Sequence, residues 1–393
     1  MKLPQGFQVS DPNKVCRLHK AVYGLKQALR CWFAKLTDAL KKYGFKQSCA
    51  DYSLFVYSKG GIDLRVLIYV DDLLVCGNST ERVDRFKNYL SKCFHMKDLG
   101  KLKYFLGIQV GRGGEGFMLT QRKYALDLIE DTGLLGSKPA ATPMEQHHKL
   151  ALDTSPVLRD AERYRRLVGR LIYLSITRPD ISYPVHILSQ FMKAPREVQW
   201  EAALRVVRYL KGTAGQGILI SSNEDLSLSV YCDADWSACP VTRRSLSAYV
   251  ALVGGSPVSW KTKKQKVVSH SSAEAEYRSM AQATREIKWL RRLLFDLGAK
   301  QLKPSKLFCD SKSAIYIAAN PVFHERTKHI ESDCHQVRDA LQDGIITTVH
   351  VRTHEQVADV LTKALGRVQF ETLLFKLGVR NLHLPNLRGS IGG

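Results

Sequence analysis

The sequence predicts a multidomain protein of mixed α/β and α+β class, and three observations carry that expectation. The chain has 393 residues with 45% apolar content, more than one hydrophobic core normally serves. Apolar residues recur at helical spacing in some stretches and alternate with period two in others. A connector at 137–160, rich in Pro, Ala, Thr and Ser and carrying Pro139, Pro143 and Pro156, separates an earlier strand-and-helix region from a later one.

The elements follow in order. Over 15–43, Leu25, Leu29, Trp32, Phe33, Leu36 and Leu40 mark one helical face, closed by Lys41-Lys42-Tyr43-Gly44, where cations suit a helix C-terminus. Two strand-like runs, 53–57 and 64–75, precede a helix at 80–94 and a strand at 101–110 that enters a glycine-rich turn at 111–116. Residues 161–212 read as helices broken near Pro179 and Pro195, carrying Arg163, Arg165, Arg166, Arg170, Arg205 and Arg208. A basic helical surface suits a phosphate backbone, and a solvated helix face has the same pattern. Beyond them Leu228, Val230 and Cys232 alternate with Ser229, Tyr231 and Asp233, which opens a new sheet. Strands at 249–260, 306–309 and 345–351 and helices at 272–297, 311–319, 334–343 and 356–364 complete it, and 371–393 reads as a weakly ordered tail.

Charge and cysteine usage bound the function. Lys and Arg number 59 against 37 for Asp and Glu, a formal +22 that favours a polyanionic partner, nucleic acid first. Nine cysteines form no Cys-x-x-Cys pair, which fits a reduced compartment. The N-terminus lacks a signal-peptide core, and no run approaches the ~18 apolar residues of a membrane span. The expectation is a soluble intracellular protein of cytoplasmic particle or nucleus, not secreted and with no membrane partner. His324, His329, Cys334 and His335 match no standard zinc spacing and are read as packed or solvated.

Two sets of acids point to chemistry. Asp71 and Asp72 interrupt an apolar run, Leu64 to Gly77. Two charges about 4 Å apart repel by about 4 kcal/mol at an effective dielectric of 20, so a fold that buries such a pair usually supplies a divalent cation. A hairpin with solvated aspartates at its tip is the plainer alternative, and the flanking Leu, Ile and Val favour the buried pair. The second set is Asp233 at a strand end, Glu276 early in a helix, Asp310 after a strand and Asp359 in a late helix. Four converging carboxylates suit two Mg²⁺ about 4 Å apart, the arrangement for in-line phosphodiester displacement. Asp233 and Asp235 share a strand face, so alternation leaves the choice between them open. Glu274 and Glu276 lie about 200° apart on a helix, and Glu276 continues the stripe Met280, Ala283, Ile287 that faces the sheet.

These segments are recognisable. Val15-Cys16-Arg17-Leu18-His19-Lys20-Ala21-Val22-Tyr23-Gly24-Leu25-Lys26-Gln27, Tyr69-Val70-Asp71-Asp72 and Phe105-Leu106-Gly107-Ile108 resemble the reverse transcriptase of copia-type LTR retrotransposon Pol polyproteins. Tyr231-Cys232-Asp233-Ala234-Asp235-Trp236, Ser271-Ser272-Ala273-Glu274-Ala275-Glu276-Tyr277-Arg278, Cys309-Asp310-Ser311 and Ala358-Asp359-Val360-Leu361-Thr362-Lys363 resemble its ribonuclease H domain.

The resemblance implies a partial right-hand polymerase palm and thumb followed by a ribonuclease H-like mixed five-stranded sheet with flanking helices. It implies a truncated palm and start of thumb at 1–135, a linker and basic helical thumb at 136–222, the ribonuclease at 223–370 and the tail beyond. It places the ribonuclease acids at Asp233, Glu276, Asp310 and Asp359, which settles the aspartate tie, with a two-Mg²⁺ site. It makes Asp71 and Asp72 catalytic metal ligands of the polymerase, and Gly24, Gln27 and Tyr69 substrate-binding. The family's first palm aspartate lies upstream of the segment where this chain starts, so polymerization by this chain alone is not expected. An upstream Pol half or second subunit is the partner that would supply it. Leu29 and Ala248 stand where the family has Pro and Gly, and Ala248 strains the sheet if a positive φ is needed. The implied activity is Mg²⁺-dependent cleavage of RNA in RNA/DNA hybrids, with primer-template the other nucleic-acid partner. The alternative is an inactive nucleic-acid-binding relic of a transposable element.

Overall fold

The computed structural model describes Gly6, residues 15–19, Val22 and residues 24–223, 225–320 and 331–381. The chain divides into two compact units between Lys101 and Leu102. This division lies upstream of the expected 135/136 boundary. Residues 104–120 form strands that pair, directly or in sequence, with a strand at 216–221, which ties them to the later unit.

In the first unit, α1 (Ala28–Tyr43) begins later than its apolar spacing suggests and ends on Lys41, Lys42 and a left-handed Gly44, whose N–H closes on the Leu40 and Lys41 carbonyls. The strands β1 (Lys46–Gln47), β2 (Leu54–Lys59), β3 (Ile62–Tyr69) and β4 (Asp72–Gly77) form an antiparallel sheet in that order. Ser79 caps α2 (Thr80–Cys93) by accepting from the Arg82 N–H. Leu36 and Leu40 of α1, Leu64, Val66 and Ile68 of β3, and Phe86 and Leu90 of α2 form its core.

The second unit holds two sheets. One is antiparallel, ordered β14-β8-β7-β6-β5, from β5 (Tyr104–Phe105), β6 (Ile108–Gly113), β7 (Gly116–Thr120), β8 (Gln216–Ser221) and β14 (Val379–Asn381). A Cβ on Gly217 would lie 2.2 Å from the Leu119 carbonyl oxygen, so this close pairing of β7 and β8 requires glycine. Helix α3 (Arg122–Asp131) has no counterpart in the sequence reading, whereas α4 (Ala161–Leu174), α5 (Ser182–Ser189) and α6 (Glu197–Gly212) follow the expected breaks.

The other sheet is mixed and five-stranded, ordered β11-β10-β9-β12-β13. β9 (Leu228–Asp235), β10 (Leu246–Val253) and β11 (Ser256–Lys264) run antiparallel, and β12 (Ser305–Cys309) and β13 (Ile346–His350) lie parallel to β9. Ala248 sits in regular register opposite Asp233, outside the positive-φ positions, so it causes no strain. The long helix α7 (Ser272–Asp296) covers one face through Met280, Ala283 and Ile287 against Val230, Cys232 and Leu307, with α8 (Lys312–Ala319) and α9 (Glu331–Gln342) beside it.

The opposite face is covered by the helices that precede the sheet. Leu167, Leu171, Val206 and Leu210 share one core with Ala248, Val250, Val360 and Leu373. Trp260 Nε1–H donates to the Ser175 carbonyl at 3.1 Å. No break in the core falls at 222/223, because the sheet buries its second face against the helices. Two further expectations are corrected. The segment after Gln356 is a short 3₁₀ turn, Val357–Leu361, rather than an α-helix. Residues 371–381 are not tail: they form most of α10 (Arg367–Lys376) and all of β14, held by Phe370 and Leu373 in the core and by pairing with β8. Residues 382–393, like His324 and His329, lie outside the described residues, among which no helix is long and apolar enough to cross a membrane.

One buried polar network anchors these helices. Arg178 and Asp180 are 1% and 0% exposed. The Arg178 guanidinium donates to Asp180 at 2.7 Å and to Thr213 O at 2.9 Å, while the Tyr209 hydroxyl and Gln216 amide donate to the same carboxylate at 2.8 and 3.0 Å. Removing one charge strands the other, at about 3–5 kcal/mol. Asp180→Leu is therefore expected to destabilise the second unit by about that amount, and Arg178→Met/Asp180→Leu to recover much of it, as read by denaturant unfolding. A second expectation concerns acid. Burial and the Lys264 charge hold His186 down to about 4 from 6.5. Below 6.5 the unfolded chain takes up a proton that the folded chain refuses, so stability falls as pH drops from 6.5 toward 4. Unfolding midpoints across that range should show the slope, and His186→Gln should reduce it.

Candidate active site

The ends of β9 and β12 are neighbours in a parallel pair, and this adjacency starts the site. Asp233, in the last turns of β9, is 1% exposed. Asp310 follows β12 directly and is half-buried. The first turns of α7 cross above them and carry Glu276, 7% exposed, whose carboxylate lies 3.9 Å from Cys309 Sγ. The 3₁₀ turn brings Asp359, also 1% exposed. It is docked on β9 by Gln356, fully buried, whose amide donates to the Cys232 carbonyl at 3.0 Å and whose side-chain oxygen accepts from Ala358 N–H at 3.3 Å.

The electrostatics show that the four acids share one environment. Burial pushes Asp233 up from the usual carboxylate range, the Lys363 charge and the Thr362 hydroxyl oppose it, and Asp310 adds to it. Burial raises Glu276 far more, reinforced by Asp233, Cys309 and Asp310 and opposed by the Ala234 N–H. Asp359 rises to about 7, through burial and then Asp233, with Lys363 opposing. Asp235 lies on the same strand face, less buried, and rises to about 6 mainly through burial.

Three partners of these acids were not found by sequence reasoning. Lys363 Nζ lies 2.9 Å from Asp359 and 3.6 Å from Asp233, an ammonium between two buried carboxylates. Burial works against its charge, and Asp233 and Asp359 more than restore it, so its pKa is raised. The Thr362 hydroxyl donates to Asp233, and the Thr353 hydroxyl donates to Asp310 at 3.1 Å. The i,i+4 spacing of Asp359 and Lys363 was the available signal.

The choice between the two glutamates has a clear geometry. Glu274 turns away from the acids, accepts from the His270 N–H at 2.8 Å and pairs with Arg278 at 2.8 Å, while the Ser271 hydroxyl accepts from its N–H at 3.1 Å. It is a helix-capping residue.

The polymerase-type residues are arranged differently. Asp71 sits in the β3–β4 turn beside Val70 at φ 53°, and Asp72 pairs with Tyr69 at the first position of β4. Both aspartates are exposed, and Tyr69 is 56% exposed. The flanking apolar residues bury within the sheet and leave the tip outside, so the expected burial of the pair is corrected. Gly24, at φ 92°, and Gln27, which precedes α1, are also exposed. Among the described residues no hydrogen bond or ion pair joins them to the tip. Of the helical arginines, Arg163 stacks on Trp200 at 4.6 Å, and Arg170 and Arg205 pair with Asp131 and Glu145 at 2.6 and 2.8 Å.

Comparison with known proteins adds a family. Residues 1–146 match the family described as reverse transcriptase (RNA-dependent DNA polymerase). The chain is 46% identical over 380 residues to the retrovirus-related Pol polyprotein from transposon RE2 of Arabidopsis thaliana, covering 96% of this chain and 26% of that protein. It therefore spans about a quarter of that relative. A putative transposon Ty5-1 protein of Saccharomyces cerevisiae is 38% identical over 291 residues, 73% of this chain and 94% of that protein. Among solved structures, the N-terminal RNase H domain of a Mycobacterium tuberculosis protein, solved as a fusion with maltose-binding protein, is 12% identical over 38% of this chain and 97% of that chain, with a TM-score of 0.26.

The two glutamates separate experimentally. Glu274→Ala is expected to cost roughly 1–2 kcal/mol, the size of a lost cap. Glu276→Gln should cost little in the metal-free protein, because burial and the Asp233 charge already favour the neutral carboxyl and the amide is its neutral isostere. Urea unfolding of both variants in chelator checks this.

Proposed function

Because this chain belongs to the Pol polyproteins of copia-type retrotransposons, a family of nucleic-acid-processing enzymes, we propose that its ribonuclease segment, residues 223–370, cleaves the RNA strand of RNA/DNA hybrids with Mg²⁺. The convergence of Asp233, Glu276, Asp310 and Asp359 carries this reading. The donor set fits the metal: four carboxylates are hard oxygen ligands of the kind Mg²⁺ prefers. Glu276 is 7% exposed, and among the described residues no cation pairs with it. These four residues would hold the metal, which when bound polarises the phosphodiester and supplies a water of lowered pKa.

The chain's own groups have distinct tasks. Lys363 opposes the upward shift that burial imposes on Asp233 and Asp359, and so favours the carboxylate forms that would serve as ligands. Thr362 orients Asp233, and Thr353 orients Asp310. Asp310 is the least buried of the four and is the one a phosphodiester reaches first. Burial and the Asp233 charge favour the neutral form of the Glu276 carboxyl, which would give up its proton to serve as a ligand. The excess of 59 Lys and Arg over 37 Asp and Glu supplies attraction for the hybrid backbone.

The first unit fits a polymerase role that needs more than this hairpin. Asp71 and Asp72 stand exposed at the tip with no third candidate metal donor grouped with them among the described residues. We assign them to the polymerase's metal-binding block, whose remaining ligand another Pol segment or a second subunit would provide. Gly24, Gln27 and Tyr69 would then meet primer-template and nucleotide.

Purified chain with Mg²⁺ is expected to cut the RNA of a labelled hybrid and to leave double-stranded DNA intact. Asp310→Asn should lower the rate by at least about 10²-fold, the scale of losing one electrostatic stabiliser. Binding of hybrid with no metal-dependent product would identify the chain as a binding relic instead.

A further inference from the structure

One thiol intrudes on the carboxylate site. Cys309 precedes Asp310 at the end of β12 and is 0% exposed. Its sulfur, one Glu276 carboxylate oxygen and one Asp310 carboxylate oxygen all lie within 4.8 Å of one another. A tetrahedral site with bonds of about 2.0–2.3 Å sets its donors roughly 3.3–3.5 Å apart, so the three must close in from the 4.8 Å limit, chiefly by side-chain rotation at the half-buried Asp310. Glu276 is more than nine-tenths buried, is aimed at this point, and among the described residues has no cation paired with it. Lys363, the cation of the site, serves Asp233 and Asp359 instead. A second buried thiol, Cys232, lies against Cys309 on β9.

Donor chemistry decides which ion this point favours. Carboxylates alone select Mg²⁺, but a thiolate adds a soft ligand that Mg²⁺ does not use and that zinc and cadmium bind strongly. We propose that Glu276, Cys309 and Asp310 form a mixed sulfur–oxygen site for a thiophilic divalent cation, zinc being the natural ligand, and that its occupation blocks hybrid cleavage. Binding forms one metal–sulfur and two metal–oxygen bonds and releases to solvent both the Cys309 thiol proton and the proton held on the Glu276 carboxyl. The fourth position of a tetrahedral ion stays open to water. Inhibition follows because Glu276 and Asp310 are taken from the Mg²⁺ ligand set. That consequence rests on the ribonuclease reading, whereas the binding itself does not.

The test has three parts on the full chain. Metal-free protein is titrated with Cd²⁺ alone and its sulfur-to-cadmium ultraviolet absorption compared with that of Cys309→Ser, which cancels the contribution of the other eight cysteines. The first equivalent should give a band in the wild type that the variant lacks, with affinity on the order of 10–100-fold weaker or more in the variant. X-ray absorption of wild-type protein with one equivalent of zinc should show one sulfur neighbour among oxygens. In Mg²⁺, Cys309→Ser, measured against its own zinc-free rate, should need at least ten times more zinc for half-inhibition, about the lower limit of that range. Identical cadmium bands, or a zinc shell with no sulfur or several, would overturn the site, and the zinc shell decides even if Cys309→Ser fails to fold. If wild type shows no cleavage, the ribonuclease reading fails while the cadmium and zinc spectra still judge the site. Equal zinc inhibition of both proteins would overturn the inhibitory role.

Discussion

Repulsion among buried carboxylates is the constraint on which the second unit turns. Two unit charges 4 Å apart cost about 4 kcal/mol at an effective dielectric of 20, and Asp233, Glu276 and Asp359 are withdrawn from water together. One cation, Lys363, answers two of them. The remainder is met by proton retention, strongest at Glu276, where burial and the Asp233 charge act in the same direction. A folded chain that buries so many carboxyls in one place is poorly optimised for stability and well suited to attract a cation. The same imbalance makes Cys309 consequential, because a buried thiol at that point changes which cations the cluster can hold.

Such a cluster persists only if the scaffold cannot relax around it. Parallel pairing of β9 with β12 brings Asp233 and Asp310 to neighbouring strand ends, and α7 is pinned to the sheet by Met280, Ala283 and Ile287. The 3₁₀ turn is tied to β9 by Gln356 and to β11 by the Thr262 hydroxyl, which donates to the Leu361 carbonyl at 2.9 Å. Behind that turn lie the helices of 161–212, themselves fixed by the Arg178–Asp180 network. The helical region is therefore part of the site's support. A sheet with one face packed on α7 alone would expose Val250, Leu252 and Leu246, all of which are buried here against the helices and their neighbours.

Sequence alone made legible whatever depended on periodicity. The helical phase separating Glu274 from Glu276 put Glu276 on the sheet face, where the structure has it, while the capping role of Glu274 emerges only from its contacts. Alternation in β9 located Asp233 but not its difference from Asp235, because two residues on one strand face differ only in depth. The partners Gln356 and Thr353 were not legible, since their roles arise from contacts across more than forty residues, and Lys363 left only its i,i+4 spacing from Asp359 as a signal, in an irregular turn whose pattern resembles a short helix. Residues 371–381 read as tail because α10 has no strong apolar face and β14 is only three residues long. Their order comes from β8 and from the shared core, partners far away in the chain.

The two acidic sets differ in one physical respect that ranks them. Asp71 and Asp72 stand at an exposed hairpin tip, where water screens each charge and nothing in the fold compels a cation to be present. Three of the Asp233 set are buried, and Lys363, nearby hydroxyl and N–H donors and retained protons keep them from destabilising the unit. An exposed pair gains its function from whatever closes over it, so its chemistry depends on partners that bring both burial and further ligands. A buried set already carries the electrostatic demand, and the cation site proposed for the second unit rests on that demand.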